Sequence, residues 1–398
     1  MITVEDIRQA RERIAGRIRR TPIDPAPNLS RLAGRRVVLK PEYRQRTGSF
    51  KIRGATNFVS LLPTGTEVIA ASAGNHAQGV ALAAATSGML ATIFMPTTAT
   101  LPKVQATRDY GATVQLVGES VDDAISAARA YADERGAVFV PPFDDPFVIA
   151  GQGTIGLELA EDVPEAEVVV VPVGGGGLIS GIATAMAACH PRPRVVGVQA
   201  AGAACMLASL EAGHCVRLDS TATMADGISL KSPSPLTLAH VQAYVDEIVT
   251  VGEDDISQAV LLLLERAKAV VEPAGAVALA ALLAGKIPGN GLAVAVLSGG
   301  NVDPLLLLKL IDHGLSAAGR YLVLRILLDD RPGSLAGLTA AIAAKGLNVL
   351  AVEHHRAGLL LGMDQVEVVL TLETRDPDHR GAVVDDLTAS GYRVELVN

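Results

Sequence analysis

The sequence is poor in cysteine and has no extended basic segment. Its three cysteines, Cys189, Cys205 and Cys215, show no CxxC spacing and are odd in number, so we expect free thiols in a reducing cytoplasm rather than a disulfide framework. The longest basic run is Arg17–Arg20 and the formal net charge is −8, which disfavours nucleic acid as a partner. Met1–Asp6 lacks the basic start and apolar core of a signal peptide, which again favours a cytoplasmic location.

One uncharged window, Val168–Cys189, is long enough to span a bilayer. It contains Pro172 and four consecutive glycines, which divide it into a strand, a loop and an alanine-rich helix. We therefore predict the buried centre of an α/β sheet here, and no membrane partner.

The composition indicates a globular chain: 398 residues, 49% hydrophobic and 19% charged, enough for about two to three domains. Short β-branched runs alternate with alanine-rich helical patterns, which predicts parallel sheets covered by helices on both faces. The predicted strands begin at Glu67, Leu90, Ala112, Val168, Arg194 and Leu292. Ligands in such folds bind outside the carboxyl ends of strands.

The pattern changes near Asp312–Arg320, where small and polar residues interrupt it. Beyond this point the order strand-helix-strand-strand-helix-strand predicts a ferredoxin-like βαββαβ module over residues 321–398. Its first helix has Ser334 as the predicted N-cap and Gly346 as the predicted C′ residue.

The segment Gln45–Gly54 places Lys51 among small and turn-forming residues at a predicted helix start. An amine held there could form a Schiff base with a carbonyl cofactor. Taken alone, the same pattern also fits a solvated surface lysine.

Gly174, Gly175, Gly176, Gly177 and Leu178 follow a buried strand and precede a helix. Such a loop exposes backbone N–H groups to an anion. A dinucleotide site is disfavoured because the GxGxxG spacing fails at Ile179 and Ser180 and because the next strand ends at Gln199, and no Gly-Lys-Ser/Thr follows for a Walker A loop. A single-phosphate cradle remains, with close helix–strand packing as the alternative.

Two further strand ends carry polar residues. Ser72, Ala73, Gly74 and Asn75 lead into a helix and could bind a carboxylate, although helix capping alone would explain them. Ser298 precedes two glycines, and its hydroxyl could face a pyridine nitrogen, although a simple turn would explain it too. With Lys51 and the four glycines, these segments favour a pyridoxal 5′-phosphate (PLP) site.

In this order, and together with Phe143–Pro146, Ile149–Thr154, Ala225–Gly227, Glu272–Ala276 and Ser298–Asn301, the motifs resemble those of the threonine ammonia-lyases, PLP enzymes of fold type II. The resemblance covers roughly residues 5–310. It implies a catalytic domain over residues 1–312 made of two parallel-sheet α/β subdomains, the smaller over roughly 47–150. The C-terminal residues resemble an ACT regulatory domain.

The resemblance also implies roles for single residues. Lys51 would bind PLP and act as the base, Phe50 would pack on the ring, Asn75 would bond its hydroxyl and Ser298 would face its nitrogen. Gly174–Gly177 and Leu178 would bind the phosphate, and Ser72–Asn75 the substrate carboxylate. No metal site is predicted, since Ala222 stands where related racemases carry a cation-binding glutamate; a cation requirement stays open.

For the ACT module, the resemblance places an amino-acid effector such as isoleucine or valine at Gly333 and Asn348. It also implies assembly as a homotetramer or, second, a dimer; a module that only assembles subunits is the alternative to a regulatory one. Two other activities fit the same scaffold, an L-serine dehydratase and a serine/threonine racemase, and a non-catalytic amino-acid sensor is a third possibility.

Overall fold

The computed structural model describes residues 1–317, 319–356 and 364–397. It divides into two compact units, residues 1–307 and 308–398. The module predicted over 321–398 therefore includes residues 357–363 and 398, which lie outside the described residues.

The strands, in chain order, are β1 (Asp24–Pro25), β2 (Val37–Pro41), β3 (Glu67–Ala71), β4 (Leu90–Met95), β5 (Thr113–Leu116), β6 (Val138–Phe139), β7 (Val168–Pro172), β8 (Arg194–Ala200), β9 (Glu247–Val251), β10 (Ala293–Leu297), β11 (Tyr321–Asp329), β12 (Val349–His355), β13 (Gln365–Glu373) and β14 (Arg393–Leu396).

The helices are α1 (Val4–Ile14), α2 (Pro27–Leu32), α3 (Lys51–Val59), α4 (Asn75–Thr86), α5 (Leu101–Asp109), α6 (Val121–Arg135), α7 (Pro146–Asp162), α8 (Gly177–Met186), α9 (Cys205–Ala212), α10 (Pro235–Tyr244), α11 (Glu253–Leu262), α12 (Pro273–Leu283), α13 (Pro304–Ala317), α14 (Ser334–Ala344) and α15 (Pro377–Ala389).

The first unit contains two sheets. The larger has the order β1-β2-β10-β7-β8-β9, parallel except for β1, and the smaller has the parallel order β5-β4-β3-β6. Strands β2, β7 and β10 are buried along their whole length, as expected for β-branched runs covered on both faces. Each sheet has its own apolar core. The predicted α/β fold is confirmed.

Local sequence explains where several of these helices begin and end. Ser120 and Asp123 form a capping box at the start of α6, and Gly136 ends that helix in the left-handed region with φ +65°. Asp145 caps α7 by accepting hydrogen bonds from the N–H groups of Phe147 and Val148, and a proline occupies the first turn.

The second unit has an antiparallel sheet of order β12-β13-β11-β14 with helices α14 and α15, which confirms the βαββαβ order. One cap prediction was wrong. Gly333, with φ +96°, is the N-cap of α14, and Ser334 is its first helical residue. Gly346, with φ +67°, lies just beyond the C-cap, as predicted.

None of the helices in the described ranges has the length and continuous apolarity that a bilayer span requires.

Candidate active site

Lys51 is the first residue of α3 and is half-buried. Its Nζ donates a hydrogen bond to the carbonyl oxygen of Pro142 at 2.7 Å and lies 5.4 Å from the centre of the Phe50 ring. Burial lowers the pKa of this amine to about 8, although the carboxylates of Glu272 and Asp144 act in the opposite direction. A sizeable fraction of the amine is therefore neutral near physiological pH, as a nucleophile or base requires.

Helix α3 is held by charges buried beside Lys51. The Arg53 guanidinium lies 2.8 Å from Glu42 and 2.7 Å from Glu158, and Lys40 Nζ lies 2.6 Å from Glu158. The side chains of Lys40, Glu42 and Arg53 are fully buried. Two cations and two carboxylates thus connect β2, α3 and α7, and they fix the start of the lysine-bearing helix.

Ser72, Ala73 and Gly74 follow the end of β3, as predicted, and Asn75 is the first residue of α4. The Ser72 N–H donates to the Phe94 carbonyl at 3.0 Å, and the Ser72 hydroxyl accepts the Gly74 N–H at 3.1 Å. No group among the described residues accepts the backbone N–H of Ala73 or Asn75. These two donors at a helix start are available to an anionic ligand.

The loop after β10 runs beside the lysine segment. The Phe50 N–H donates to the Ser298 carbonyl at 3.0 Å, the Gly300 N–H donates to the Gly48 carbonyl at 2.9 Å, and Ser49 forms a bridge with Gly299. The Ser298 side chain forms no hydrogen bond with a described residue. The Ser49 hydroxyl is buried and has no partner there either. The predicted residue Ser298 therefore lies beside the segment that carries Lys51.

The side-chain amide of Asn301 connects its own loop to the Thr47 segment and to the start of α4. Its Nδ2 donates its two hydrogens to the Thr47 carbonyl and to Asn75 Oδ1, each at 2.7 Å, and Gln78 Oε1 lies 3.3 Å from the same nitrogen. Asn75 Nδ2 donates in turn to Glu272 Oε1 at 2.7 Å. The sequence assigned no role to Asn301 or Glu272, although both lie inside motifs that carried the resemblance.

The glycine loop connects β7 to α8, and Gly176 at its centre has φ +92°. A Cβ atom on Gly175 would lie 2.6 Å from the Phe143 ring, and one on Gly177 would lie 2.6 Å from the Phe143 carbonyl oxygen. Larger residues are therefore excluded by close packing. Within the described residues, no group accepts the N–H of Gly174, Gly175, Gly176, Gly177 or Leu178.

Pro142 and Phe143 connect the lysine to this loop, since the former accepts from Lys51 and the latter packs on the glycines. The sequence did not single them out as site residues.

Together the segments supply a partly neutral amine, a cradle of unpartnered N–H groups, a free hydroxyl and an oriented amide. In that order, these four groups fit the aldehyde, the phosphate, the ring nitrogen and the ring hydroxyl of PLP. Nowhere in the described ranges do three or more His, Cys, Asp or Glu side chains cluster so as to hold a metal ion.

The two predicted effector residues lie apart within one chain. Gly333 follows the end of β11 and borders a cavity of about 460 Å³. Asn348 donates to Glu373 at 3.0 Å, and Glu373 pairs with Tyr321 at the opposite end of β11. Strand β11 has nine residues and is roughly 30 Å long, so one chain does not bring Gly333 and Asn348 together.

Two protein families match the sequence. Residues 14–299 match the pyridoxal-phosphate dependent enzymes, and residues 322–390 match the ACT domain.

The chain is similar over its whole length to an L-threonine ammonia-lyase of Thermotoga maritima, with 47% identity over 401 residues and 100% of each chain covered. The processed form of threonine deaminase isoform 2 from Solanum lycopersicum has a TM-score of 0.73 and 38% identity, over 78% of this chain and 86% of that one. Maize serine racemase has a TM-score of 0.72 and 35% identity, over 79% and 98%. The chain therefore belongs to the pyridoxal-phosphate dependent enzymes and, within them, to the threonine ammonia-lyases that carry a C-terminal ACT domain.

Proposed function

We propose that this protein converts L-threonine into 2-oxobutanoate and ammonia with PLP as cofactor, and we assign the catalysis to residues 1–312. The observation that carries the proposal is the half-buried Lys51 amine, with a pKa of about 8, beside the loops of Asn75, Ser298 and the four glycines. The full-length likeness to an L-threonine ammonia-lyase supports threonine as the substrate.

In this proposal, Lys51 binds the cofactor aldehyde, Phe50 packs on the ring, and the N–H groups of Gly174–Leu178 hold the phosphate. The Asn75 amide binds the ring hydroxyl, and Ser298 faces the ring nitrogen. A hydroxyl at that place leaves the nitrogen neutral, which favours elimination over transamination.

PLP, when bound, acidifies the Cα–H of an amino acid joined to it by withdrawing electrons from that carbon. The free N–H groups of Ala73 and Asn75 orient the substrate carboxylate. In this proposal the substrate amine would displace Lys51 Nζ from the aldehyde carbon, and the freed Nζ, neutral in part because burial lowers its pKa to about 8, would remove the Cα proton. The β-hydroxyl would then leave together with a proton as water, and uptake of one water with release of ammonia would give the keto acid.

The experiment is a keto-acid assay with threonine and serine on the wild type, on Lys51→Ala and on a control, Lys286→Ala, which changes an exposed lysine. We expect Lys51→Ala to reduce threonine turnover by at least about 100-fold and the control to leave it unchanged. Both amino acids are tested because the methyl group that distinguishes threonine from serine contributes only about 1–3 kcal/mol of discrimination. A strong preference for serine would favour a serine dehydratase. A colourless wild type without PLP would favour an amino-acid sensor.

The likeness to maize serine racemase makes racemisation a second candidate. Chiral analysis of the recovered substrate separates the two activities, since a racemase accumulates the D-amino acid, whereas the proposed lyase accumulates keto acid.

We further propose that residues 321–398 bind an amino-acid effector such as isoleucine or valine. The cavity beside Gly333 supports this, because its volume of about 460 Å³ suits a small ligand. Its lining combines apolar side chains, the N-terminus of α14 and polar groups: Leu327, Leu328, Asp329, Gly333, Ser334, Gly337, Gln365, Gly391, Tyr392 and Arg393.

We propose that the chain assembles as a homotetramer or, as the second choice, as a dimer. The support is an exposed edge of the antiparallel sheet. Strand β12 is an edge strand and exposes Val349, Leu350 and Val352, a surface suited to strand pairing with another copy. Light scattering of the wild type and of Val352→Glu tests this. The free state of Cys189, Cys205 and Cys215 agrees with a proposed cytoplasmic location.

A further inference from the structure

The side-chain amide of Asn75 has its orientation fixed by two neighbours. Asn301 Nδ2 donates to Asn75 Oδ1 at 2.7 Å, and Asn75 Nδ2 donates to Glu272 Oε1 at 2.7 Å. Asn301 is itself oriented, because its Nδ2 also donates to the Thr47 carbonyl at 2.7 Å. The nitrogen of Asn75 therefore faces Glu272, and its oxygen faces Asn301.

Glu272 is buried, with 5% of its surface exposed, and its side chain meets the Ser298–Asn301 loop. A Cβ atom on Gly299 would collide with Glu272 Oε1, and the Glu272 N–H donates to the Gly299 carbonyl at 3.1 Å. Asn75 Nδ2 is the one hydrogen-bond donor to this carboxyl among the described residues, and no cation there lies within 4.0 Å of it. A buried carboxylate without a paired cation is costly, so stability does not explain its presence.

We propose that Glu272 is a positioning residue that, through Asn75, presents an amide N–H rather than a carbonyl oxygen to the ring hydroxyl of the cofactor. Asn75 Nδ2 carries two hydrogens. Glu272 accepts one of them, and no described residue accepts the other. This inference rests on the proposed function, because it assumes that the site holds PLP.

The charge of Glu272 determines how firmly it orients Asn75. An ionised carboxylate only accepts hydrogen bonds, whereas a protonated carboxyl also donates and no longer enforces one orientation. Burial, followed by the charge of Asp226, raises the pKa of Glu272 to about 7; the Asn75 hydrogen bond, Lys103 and Lys51 oppose this rise. The orientation of Asn75 should therefore weaken as the pH falls through about 7.

Two charged neighbours act on the pKa of Glu272 in opposite directions, and this allows a test. Asp226 lies in a short 3-10 turn, and its carboxylate is 2.7 Å from Lys103 Nζ on α5. Removing the negative charge of Asp226 lowers the pKa of Glu272, and removing the positive charge of Lys103 raises it. A purely structural role of these residues would not give shifts of opposite sign.

The experiment measures the dissociation constant of PLP between pH 5.5 and 9, by the visible absorbance of the bound cofactor, for the wild type, Glu272→Gln, Asp226→Asn, Lys103→Met and the exposed control Glu134→Gln. Glutamine keeps an acceptor for Asn75 but cannot ionise. We expect Glu272→Gln to match the wild type at low pH and to bind PLP about tenfold more weakly at pH 8. The difference curve between them should have its midpoint near pH 7. Asp226→Asn should move the midpoint lower, Lys103→Met should move it higher, and Glu134→Gln should leave it unchanged.

An unchanged pH dependence in Glu272→Gln, or midpoints that do not move in opposite directions, would overturn the inference. The binding measurement does not depend on which amino acid is deaminated. A wild type that binds PLP but does not deaminate threonine therefore contradicts only the proposed function. A wild type that binds no PLP contradicts both.

Discussion

The amine of Lys51 donates to the carbonyl oxygen of Pro142 at 2.7 Å, across 91 positions of sequence. This contact lies where burial holds the pKa of the amine at about 8, well below the ordinary lysine value. In the cofactor-free protein, acylation of Lys51 should therefore increase through pH 8 and level off, whereas a lysine in an unstructured reference peptide, with a pKa of about 10.4, should keep gaining reactivity at higher pH. Peptide mass spectrometry at several pH values measures both. Equal pH profiles would contradict the low pKa.

The glycine loop should not tolerate a methyl group at position 175. A Cβ atom there would lie 2.6 Å from the Phe143 ring, so the loop or the ring must move. We expect Gly175→Ala to weaken PLP binding at least about tenfold, because the phosphate-binding N–H groups would be displaced. The control is Gly381→Ala, where a Cβ atom would meet nothing within 4 Å. Equal cofactor affinities in the two variants would remove the loop from the site.

Breaking the buried ion cluster should be far more costly than breaking a surface ion pair. Burial alone would raise the pKa of Glu42, but Arg53 and Lys40 outweigh it and lower the value. We expect Glu42→Gln to reduce the free energy of unfolding by about 3–5 kcal/mol, because Arg53 would lose a charged partner in a buried site.

The matched control for that variant is Asp122→Asn, which breaks an exposed pair with Arg217. Its expected cost is about 0–1 kcal/mol. Urea denaturation of both variants measures the difference, and similar midpoints would contradict a stabilising role of the cluster.

His76 should make the fold sensitive to acid. Burial and then Lys51 lower the pKa of its imidazole to about 3, while the contact of Nε2 with the Val140 carbonyl at 2.9 Å opposes this. The folded pKa lies below the unfolded value of about 6.5, so the contribution to stability is complete above pH 6.5 and is lost as the pH falls toward 3.

Between pH 7 and pH 5, the wild type should consequently lose about 1–2 kcal/mol more than His76→Gln. The variant is expected to be less stable at pH 7, so the slope with pH is the informative quantity. Parallel slopes from chemical denaturation would show that His76 does not titrate in this way.

The cavity beside Gly333 can be filled without disturbing its walls. A Cβ atom on Gly337 would meet only the Tyr392 hydroxyl, at 3.9 Å, so Gly337→Leu should fold and occupy the space. We expect this variant to lose any response of threonine kinetics to isoleucine or valine, while Gly381→Leu, on helix α15 of the same unit, keeps it. A retained response in Gly337→Leu would place the effector elsewhere.

Much of the fold could be predicted from the sequence, because continuous β-branched runs such as Val168–Val173 have few alternatives to a buried strand. Strand β2 was missed since Lys40 and Pro41 interrupt its apolar run, and only the structure shows that Lys40 is neutralised by Glu158. The cap at Gly333 was missed because Ser334 has the stronger capping chemistry, whereas the turn requires a positive φ one residue earlier.

The positions of the candidate site's segments could be predicted, because the lysine, serine and glycine loops each follow from local sequence and lie at strand ends or helix starts. The roles of their residues stay predictions. The site could not be predicted where its chemistry depends on a contact between two residues that are far apart in the sequence. Glu272 and Asn75 are 197 positions apart, and neither residue alone indicates that one orients the other. The contact between Lys51 and Pro142 is likewise a product of the fold.

Asn301 gives the site a further property. One carboxamide meets Thr47 and Asn75, which precede it by 254 and 226 positions. Mutational effects at positions 75 and 301 should consequently be epistatic, because a replacement accepted at one of them would depend on which residue occupies the other; position 47 contributes only its backbone carbonyl, which any residue supplies. Evolutionary drift in this pocket would then proceed by compensated steps rather than by independent single changes.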